Sequence, residues 1–384
     1  MYDGFQNEIY LSGLGGERPE FPLTFEGWER SARELLSTEA FAYVAGGAGD
    51  EQTMRANRAA FERYGFVPRM LREFARCDLA TTLFGRAMPT PLLLAPIGVL
   101  ELVAADGDIA VAHAAAKWGV TSVLSTVSSV ALERVAESAP AAARWFQLYF
   151  PKNAELARSL VQRAEAAGCG AIVVTLDTWT LGWRPRDLAL AHLPFLRAKG
   201  LANYLSDPVF RSRLGAPPES SAEALQAAVA AWTGLYGNPA LTWSDVARIR
   251  SWTSLPIVLK GICGPDDARA AVDAGAAGVI VSNHGGRQVD CARAALDCLP
   301  AVAEAVGERA AVLFDSGIRS GADAMIALGL GADAVLVGRP YVYGLAFGGE
   351  RGVEWVLRCL LAELATNLAL AGFPSAAAAK NALR

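Results

Sequence analysis

The chain of 384 residues has only three histidines and no cluster of basic residues, and these shortages exclude several functions. Its formal net charge is −4 and no run is rich in lysine or arginine, so nucleic acid is not an expected partner. Apolar runs stay shorter than the roughly 18 residues that a membrane helix needs, so no membrane association is expected. No histidine or cysteine group has the spacing of zinc ligands, so we expect no metal site.

The cysteines also lack the spacing of a metal site or a disulfide framework: the six are dispersed and include no Cys-x-x-Cys pair. We expect free thiols rather than a disulfide framework, which favours a reducing compartment. The first residues, MYDGFQNEIYLSGLGG, have no basic start followed by an apolar core, so no secretory signal is expected. These features predict a cytoplasmic protein.

One pattern that is present recurs along the chain: a helix ends in small residues and glycine, and an apolar run follows at once. Examples are AAKWGVTSVLST, AEAAGCGAIVVTLD, VDAGAAGVIVSNHG and ALGLGADAVLVGRP. Glycine suits helix C-caps, and continuous apolar runs are typical of parallel strands buried on both faces. Similar runs at residues 92–95, 257–260 and 312–315, with a weaker one at 144–149, bring the number of predicted strands to eight.

Amphipathic helices are predicted between most of these strands, at residues 108–118, 131–138, 154–167, 266–274, 296–306 and 321–328. Eight alternating units predict an α/β fold, a closed (β/α)8 TIM barrel with its active site at the carboxyl ends of the strands. A doubly wound sheet is the alternative.

The predicted organisation has three parts. Residues 1–90 would form an N-terminal helical extension, and residues 91–384 would form the barrel. Residues from about 183 to 245, between strands four and five, are too many for an ordinary connection. Such long segments at a barrel rim are usually lids or disordered loops, so we expect a rim insertion or lid.

Polar residues stand at the predicted carboxyl ends of most strands, where charged groups are costly to bury unless paired or used. Two loops, Asp315–Arg319 after strand seven and Gly338–Arg339 after strand eight, lie where barrels commonly hold a phosphate. These loops favour a cofactor that carries phosphate.

A second group of rim residues suggests acid–base chemistry. His284 and Arg287 lie in the stretch SNHGGRQ after strand six, and Asp177 and Arg184 follow strand four. Histidine can take a proton near neutral pH, a neighbouring carboxylate favours the imidazolium, and arginine can bind a carboxylate with paired hydrogen bonds. The motif alone also allows a purely structural interpretation, a capped strand end with a solvated arginine.

These motifs together resemble the family of FMN-dependent 2-hydroxy-acid oxidases and dehydrogenases, which includes glycolate oxidase and lactate oxidase. The similarity runs from about residue 25 to about 373 and is most specific in SNHGGRQ. The lactate 2-monooxygenase branch is most similar in TLDTWTLGWRPRDL, NYLSDPVF, LKGIC and LFDSGIRSGAD, and in the long insertion.

The resemblance implies roles for the residues that would meet the substrate. His284 would be the catalytic base and Asp177 would orient it. Arg184 and Arg287 would bind the substrate carboxylate, with help from the Tyr43 hydroxyl. Tyr149 would form a hydrogen bond near the substrate hydroxyl or keto oxygen.

The resemblance also implies an FMN site. Lys260 would stabilise the anionic reduced flavin, since a cation beside a ring that gains negative charge tunes it in that direction. The ribityl phosphate would contact Asp315, Ser316, Gly317, Ile318, Arg319, Gly338 and Arg339. The isoalloxazine would lie against Ala95, Pro96, Ile97, Gly98, Ser125, Gln147, Thr175 and Ser282.

Two residues depart from the pattern of many relatives. Val127 stands where several members carry tryptophan against the substrate, which leaves the substrate side chain open. Gly98 stands where many oxidases have alanine, and we expect it to leave space beside the flavin.

The activity expected from the resemblance is oxidation of a short, lactate-like L-2-hydroxy acid to the 2-keto acid, with O₂ as electron acceptor. Oxidative decarboxylation, as in lactate 2-monooxygenase, would follow if peroxide and keto acid stay together; release of peroxide is the alternative. A nucleotide dehydrogenase barrel, which would need a reactive cysteine on a rim loop, and a flavin-binding scaffold without turnover are remoter alternatives. A homo-oligomer, tetramer or octamer, is implied.

Overall fold

The computed structural model describes residues 4–72 and 76–383 of the chain, and residues 1–3, 73–75 and 384 lie outside this description. Eight parallel strands close into a barrel in which each strand pairs with its neighbours in chain order, and the last pairs with the first. This closure confirms the predicted (β/α)8 barrel and excludes a doubly wound sheet. The strands are β1 (Leu92–Leu94), β2 (Thr121–Ser125), β3 (Arg144–Leu148), β4 (Ile172–Thr175), β5 (Ile257–Ile262), β6 (Gly278–Val281), β7 (Ala311–Phe314) and β8 (Ala334–Val337).

The continuous apolar runs are explained by burial on both faces of the barrel wall. Leu93, Val123 and Ile280 belong to a cluster inside the barrel, whereas Leu92 and Leu124 pack into the larger core beneath the surrounding helices. The weak run at residues 144–149 is a buried strand as well, with Trp145 on the inner face and Phe146 on the outer face.

Helices follow the strands at the predicted places, with ends that differ by no more than one residue. The helix Arg339–Leu370 is long and bends at Gly349, where the backbone leaves helical geometry. None of the helices in the described part of the chain is long and apolar enough to cross a membrane. The helices that connect or follow the barrel strands outside the insertion are Gly107–Lys117, Leu132–Ser138, Ala154–Ala166, Pro265–Asp273, Ala295–Val306, Gly321–Gly329, Arg339–Leu370 and Ala376–Ala379, with 3-10 turns at Leu100–Leu102 and His284–Gly286.

In its described residues the N-terminal segment contains four helices and also a hairpin that the sequence analysis did not predict. The hairpin strands Thr81–Leu83 and Arg86–Met88 are antiparallel and only three residues each, too short to show a period. At the turn between them, Phe84 packs on Trp145 with ring centroids 5.5 Å apart, so the hairpin closes the amino-terminal end of the barrel. The four helices are Phe5–Leu14, Phe25–Leu35, Thr38–Ala45 and Gln52–Phe61.

The insertion between β4 and β5 is folded and packs on the barrel. Its aromatic residues Phe195, Trp232 and Tyr236 stack on one another, with ring centroids 4.9–6.5 Å apart. The predicted helix AEALQAAVAAW is present. The helices of this region are Pro185–Ala189, Ala202–Leu205, Pro208–Arg211, Ala222–Leu235 and Trp243–Arg250, with a 3-10 turn at Pro194–Arg197. Whether the segment opens as a lid stays a prediction.

Candidate active site

A cavity that opens to solvent lies at the carboxyl ends of the strands. Most of the residues expected to meet cofactor or substrate line it, and they come from seven of the eight strand ends or their loops and from the N-terminal segment. Those lining residues are Tyr43, Ala95, Pro96, Ile97, Gly98, Tyr149, Arg184, Lys260, His284, Arg287, Asp315, Ser316, Gly317, Ile318, Arg319, Gly338 and Arg339. The other five, Ser125, Gln147, Thr175, Asp177 and Ser282, lie at the ends of β2, β3, β4 and β6 or just after them and are largely buried.

His284 and Asp177 form a close pair in this cavity. His284 Nδ1 lies 2.8 Å from Asp177 Oδ1, and Thr178 Oγ1 donates to the same carboxylate oxygen at 2.9 Å. A carboxylate accepts hydrogen bonds, so the proton of the neutral imidazole is held on Nδ1. Nε2 is therefore the nitrogen that can accept a proton from a molecule in the cavity.

Electrostatics keep the pair in the form that a base needs. Burial opposes ionisation of Asp177, but the charges of His284 and Lys260 and the hydrogen bonds to its carboxylate outweigh it and lower its pKa to about 2. Burial, together with the nearby cations Lys260 and Arg184, lowers the pKa of His284 despite the attraction of Asp177. At neutral pH the site thus holds a carboxylate beside an uncharged imidazole.

The SNHGGRQ loop has a backbone that explains its glycines. His284 itself has φ 58°, and its N–H donates to Ser282 Oγ at 3.0 Å. Gly286 also has positive φ, and a Cβ there would lie 2.6 Å from the backbone nitrogen of Met54. Only glycine fits this approach between the loop and the N-terminal helix Gln52–Phe61. The loop therefore holds His284 at the cavity through backbone contacts.

Two arginines lie near His284 without a salt-bridge partner among the described residues. Arg287 Nη1 donates to the Gly46 carbonyl at 2.7 Å, and its guanidinium lies 5.3 Å from the centre of the Tyr43 ring. Arg184 Nη2 donates to Gln288 Oε1 at 2.7 Å. Burial and the neighbouring cations Arg184 and Arg339 lower the pKa of Arg287 to about 9. Because the two cations repel each other, binding of an anion between them would be favourable.

Lys260 is held as a cation at the end of β5. Its Nζ lies 2.9 Å from Ser282 Oγ and 3.2 Å from Asp315 Oδ2. Burial would lower its pKa, but the carboxylates of Asp315 and Asp177 raise it above the ordinary value. Asp315, for which the sequence suggested contact with the ribityl phosphate region, thus has a direct partner in Lys260.

A second group of cations, around Arg319 and Arg339, lines the cavity next to Arg287. Burial lowers the pKa of Arg319, and the neighbouring cations Arg58 and Arg339 lower it further. Arg58 pairs with Asp323 at 2.8 Å, whereas the partners of Arg339 among the described residues are the backbone carbonyls of Val44, Gly285 and Gly46. The region therefore keeps an excess of positive charge, which suits a phosphate.

Two buried polar atoms on β3 and β4 show that the cavity wall suits a polar ring. Gln147 Nε2 and Thr175 Oγ1 are buried and have no hydrogen-bond partner in the described structure. The other end of the Gln147 amide is satisfied, because Oε1 accepts from Ser125 Oγ and the Thr126 N–H. Buried polar groups are normally paired, so a ligand with acceptors at this wall is expected, and the heteroatom edge of a flavin supplies them.

The space beside Gly98 is occupied, whereas the sequence analysis expected it to be free. A Cβ at position 98 would lie 2.5 Å from Val127 Cγ2 and 2.8 Å from the Val127 carbonyl oxygen. The expectation that Gly98 leaves free space beside the flavin is therefore wrong, because Val127 fills it. The two departures from the family pattern are in contact.

The sequence analysis did not identify several residues that lie at the site. Thr178 belongs to the motif TLDTWTLGWRPRDL, but nothing in the sequence shows that its hydroxyl meets both Asp177 and His284. Arg58 lies on an N-terminal helix, and Phe195 and Tyr236 line the cavity from the insertion. All four depend on tertiary contacts between distant segments. Within residues 4–72 and 76–383, no group of three or more potential metal ligands occurs.

The closed barrel and a rim cavity lined by a base and several cations are typical of a cofactor-dependent barrel enzyme. The family model described as FMN-dependent dehydrogenase matches residues 32–384. The chain is 44% identical over 377 residues to an FMN-dependent alpha-hydroxy acid dehydrogenase of Penicillium citrinum, covering 98% of this chain and 94% of the relative. It is 43% identical to an L-lactate oxidase of Lysinibacillus sphaericus, covering 98% of this chain and 95% of the relative.

Solved structures agree with the sequence relatives. A crystal structure of mandelate oxidase superimposes with a TM-score of 0.82 at 39% identity, covering 94% of this chain and 97% of that one. The chain belongs to the FMN-dependent dehydrogenase family. It is an FMN-dependent oxidoreductase that acts on 2-hydroxy acids, as the sequence resemblance predicted.

Proposed function

We propose that this chain oxidises a short L-2-hydroxy acid, such as lactate, to the 2-keto acid with O₂ as the electron acceptor. The observation that carries this proposal is the His284–Asp177 pair at 2.8 Å beside two buried arginines without carboxylate partners in the described structure. A base and an anion site within one cavity match a substrate that carries a hydroxyl and a carboxylate on adjacent carbons.

In this proposal the substrate carboxylate binds between Arg184 and Arg287. Each guanidinium uses part of its donors on protein oxygens and keeps others for the ligand. His284 Nε2 then accepts the proton of the substrate hydroxyl, and the Asp177 carboxylate stabilises the imidazolium that forms. Tyr43 and Tyr149 line the same region, and burial raises the pKa of both, so their hydroxyls stay protonated donors.

FMN, when bound, accepts the two electrons that leave the substrate carbon. The residues that would hold its ring are Gln147 and Thr175, whose side chains have unpaired polar atoms, and Lys260, whose charge favours a reduced anionic ring. Arg319 and Arg339, with the loops that carry them, would hold the phosphate. The remaining proposed contacts are Ala95, Pro96, Ile97, Gly98, Ser125, Ser282, Asp315, Ser316, Gly317, Ile318 and Gly338.

Coupled oxidative decarboxylation is the second candidate. It is favoured by the cover that the insertion places over the cavity, where Phe195 and Tyr236 line the wall and stack on Trp232. A covered site excludes water and retains product, so keto acid and peroxide would react before release. Gly98 adds no space for this outcome, because Val127 occupies the place beside it.

One titration tests the oxidation itself. The protein is reconstituted with FMN and mixed anaerobically with L-lactate, L-mandelate and glycolate, and the flavin absorbance is followed. Bleaching with at least one acid, and none with its methyl ester, supports the proposal. Failure of every 2-hydroxy acid to bleach the flavin would refute it.

Product stoichiometry in air separates the two outcomes. Acetate and CO₂ in a one-to-one ratio with consumed lactate support decarboxylation, whereas one free peroxide per lactate supports the simple oxidase. A homo-oligomer, tetramer or octamer, and a cytoplasmic location remain part of this proposal. Sedimentation velocity of the holoenzyme and fractionation of the source cells test them.

A further inference from the structure

The structure assigns Asn203 a positioning role: this residue of the insertion holds the loop after β2 in the shape that the flavin site needs. It is fully buried although it lies in a segment far outside the barrel repeat. Its side chain reaches the loop of residues 125–132 with every polar atom that an amide has. An amide whose nitrogen and oxygen both form hydrogen bonds to one loop restricts the path of that loop.

The contacts of Asn203 span the whole loop. Nδ2 donates to the carbonyls of Ser125 at 3.1 Å and Thr126 at 3.2 Å and to Ser128 Oγ at 2.9 Å. Oδ1 accepts from the backbone N–H of Leu132 at 2.9 Å. One side chain therefore satisfies groups on four residues between the end of β2 and the start of the next helix.

This loop forms the wall of the cavity beside the proposed flavin position. Val127 lines the cavity and fills the space next to Gly98, and the Val127 carbonyl accepts from the Val99 N–H at 2.9 Å. Ser125 Oγ donates to Gln147 Oε1, the amide whose Nε2 is unpaired. A shift of the loop would move Ser125 and Val127 together and would reorient the Gln147 amide.

The backbone around Asn203 supports the same arrangement. The Ala202 N–H donates to the Ser128 carbonyl at 3.3 Å, and Glu101 after β1 accepts from the Gly200 N–H at 3.0 Å. Glu101 in turn donates its N–H to Ser129 Oγ at 3.0 Å. The loops after β1 and β2 are thus tied to the insertion, and residues 199–203 are part of the cavity's framework rather than of a mobile cover.

Asp207 offers a matched control in the same segment. It is also fully buried, but its carboxylate accepts from Arg163 Nη1 at 2.9 Å and Ser159 Oγ at 2.8 Å on the helix Ala154–Ala166. Its other carboxylate oxygen accepts from the N–H groups of Val209 and Phe210 within the insertion. Arg163 Nη1 also donates to the Asn203 carbonyl at 2.7 Å, so Asp207→Asn weakens the attachment of the insertion at the Asn203 backbone as well, but it removes no hydrogen bond to the loop after β2.

The test compares Asn203→Asp with Asp207→Asn in the full chain, by FMN affinity of the apoprotein, thermal stability and anaerobic flavin reduction. The ionised carboxylate of the Asn203→Asp variant would face two carbonyls, an unpaired arrangement that should weaken FMN binding and reduction by about tenfold or more at pH 8. Protonation of the carboxylate restores a hydrogen-bond donor. The FMN affinity and reduction rate of the variant, relative to those of the wild type, should therefore rise as the pH falls to about 5.5. Asp207→Asn should lose thermal stability but keep FMN affinity and reduction rate within about twofold.

The inference rests on the proposed place of the flavin against this loop, and the measurements separate the two. FMN affinity tests Asn203 even where no hydroxy acid reduces the flavin, which would refute the proposed function alone. Should Asn203→Asp fail to fold, Ser128→Ala removes one of the four contacts and should weaken FMN binding about threefold. The role of Asn203 is overturned if its variant binds FMN and is reduced like wild type, or if Asp207→Asn loses both to the same degree.

Discussion

Val127 occupies the space that any side chain at position 98 would need, with its Cγ2 2.5 Å from the place of the missing Cβ. The two positions lie on loops after different strands, β1 and β2, and both line the cavity. A substitution at either position therefore alters the packing of the other residue. This contact makes the pair a better target for mutation than either residue alone.

Gly98→Ala should displace the loop after β2, because the new methyl group meets both the Val127 side chain and its carbonyl oxygen, 2.8 Å away. Overpacking of this kind typically costs about 1–3 kcal/mol of unfolding free energy. The double variant Gly98→Ala with Val127→Ala should recover only part of this, since the carbonyl contact stays. Denaturant unfolding of both variants and the wild type checks this, and a fully stable Gly98→Ala would contradict the contact.

His284→Ala should retain FMN and lose flavin reduction. General-base catalysis supplies about 10²–10⁴ in rate, so the anaerobic reduction rate should fall by at least the lower of these factors. His113→Ala is the matched control, because His113 lies on an outer helix and contacts Glu350 and Ser138. A loss of less than about tenfold for His284→Ala would mean that another group is the base.

The rate of flavin reduction at low substrate should depend on the protonation of His284. Burial and nearby cations lower the pKa of His284 from its ordinary 6.5, so the unprotonated base persists to lower pH. The rate should rise with pH through an inflection below 6.5 and then stay level. Asp177→Asn removes a charge that raises this pKa, so its inflection should move further down while the plateau rate drops. Stopped-flow reduction from about pH 5 to 8 measures both, and an upward shift would contradict this arrangement.

Arg287→Lys should weaken substrate binding far more than its conserved charge suggests, because lysine lacks the planar set of donors that binds a carboxylate at two points. We expect the KM for a 2-hydroxy acid to rise at least about tenfold, the value of one charge-assisted hydrogen bond. Arg186→Lys serves as control, since Arg186 pairs with Glu51 at 2.6 Å and does not line the cavity. Equal KM values for wild type and Arg287→Lys would remove Arg287 from the binding site.

Asp108 should make stability depend on pH. Burial raises its pKa to about 7, although its Oδ2 accepts from the N–H groups of Ser129 and Val130. A carboxyl whose folded pKa lies above its unfolded value stabilises the fold at low pH, and this contribution is lost as the pH rises toward 7. Asp108→Asn keeps an acceptor without charge, so its stability relative to wild type should increase by about 2–3 kcal/mol between pH 5 and 8. Thermal unfolding at both pH values tests this, and a constant difference would refute it.

The barrel and much of its rim could be predicted because both depend on local patterns. A continuous apolar run followed by a polar residue predicts a buried parallel strand with that polar side chain at the cavity, as at Lys260 and Asp315. The hairpin at residues 81–88 was missed because its strands are three residues each.

The contacts between distant segments could not be predicted. Nothing local to Gly98 shows that Val127 fills its space, and nothing local to Asn203 shows that it serves the loop after β2. The same holds for Thr178, whose hydroxyl lies between two groups that are 107 residues apart in the chain. These arrangements arise from how loops of different strands meet at the rim, which a single sequence does not encode in a readable period.

The hairpin at residues 81–88 covers the end of the barrel opposite the cavity, and side chains already fill the barrel interior between them. Phe84 fits against Trp145 and against Gly278, where a Cβ would lie 3.1 Å from the Phe84 ring. Because this end is filled, the cavity of the described structure opens only at the carboxyl ends of the strands. The substrate acid would therefore enter, and the keto acid leave, through the same opening. Because substrate and product of the proposed oxidation would occupy the same site, we expect the keto acid to inhibit the reaction competitively.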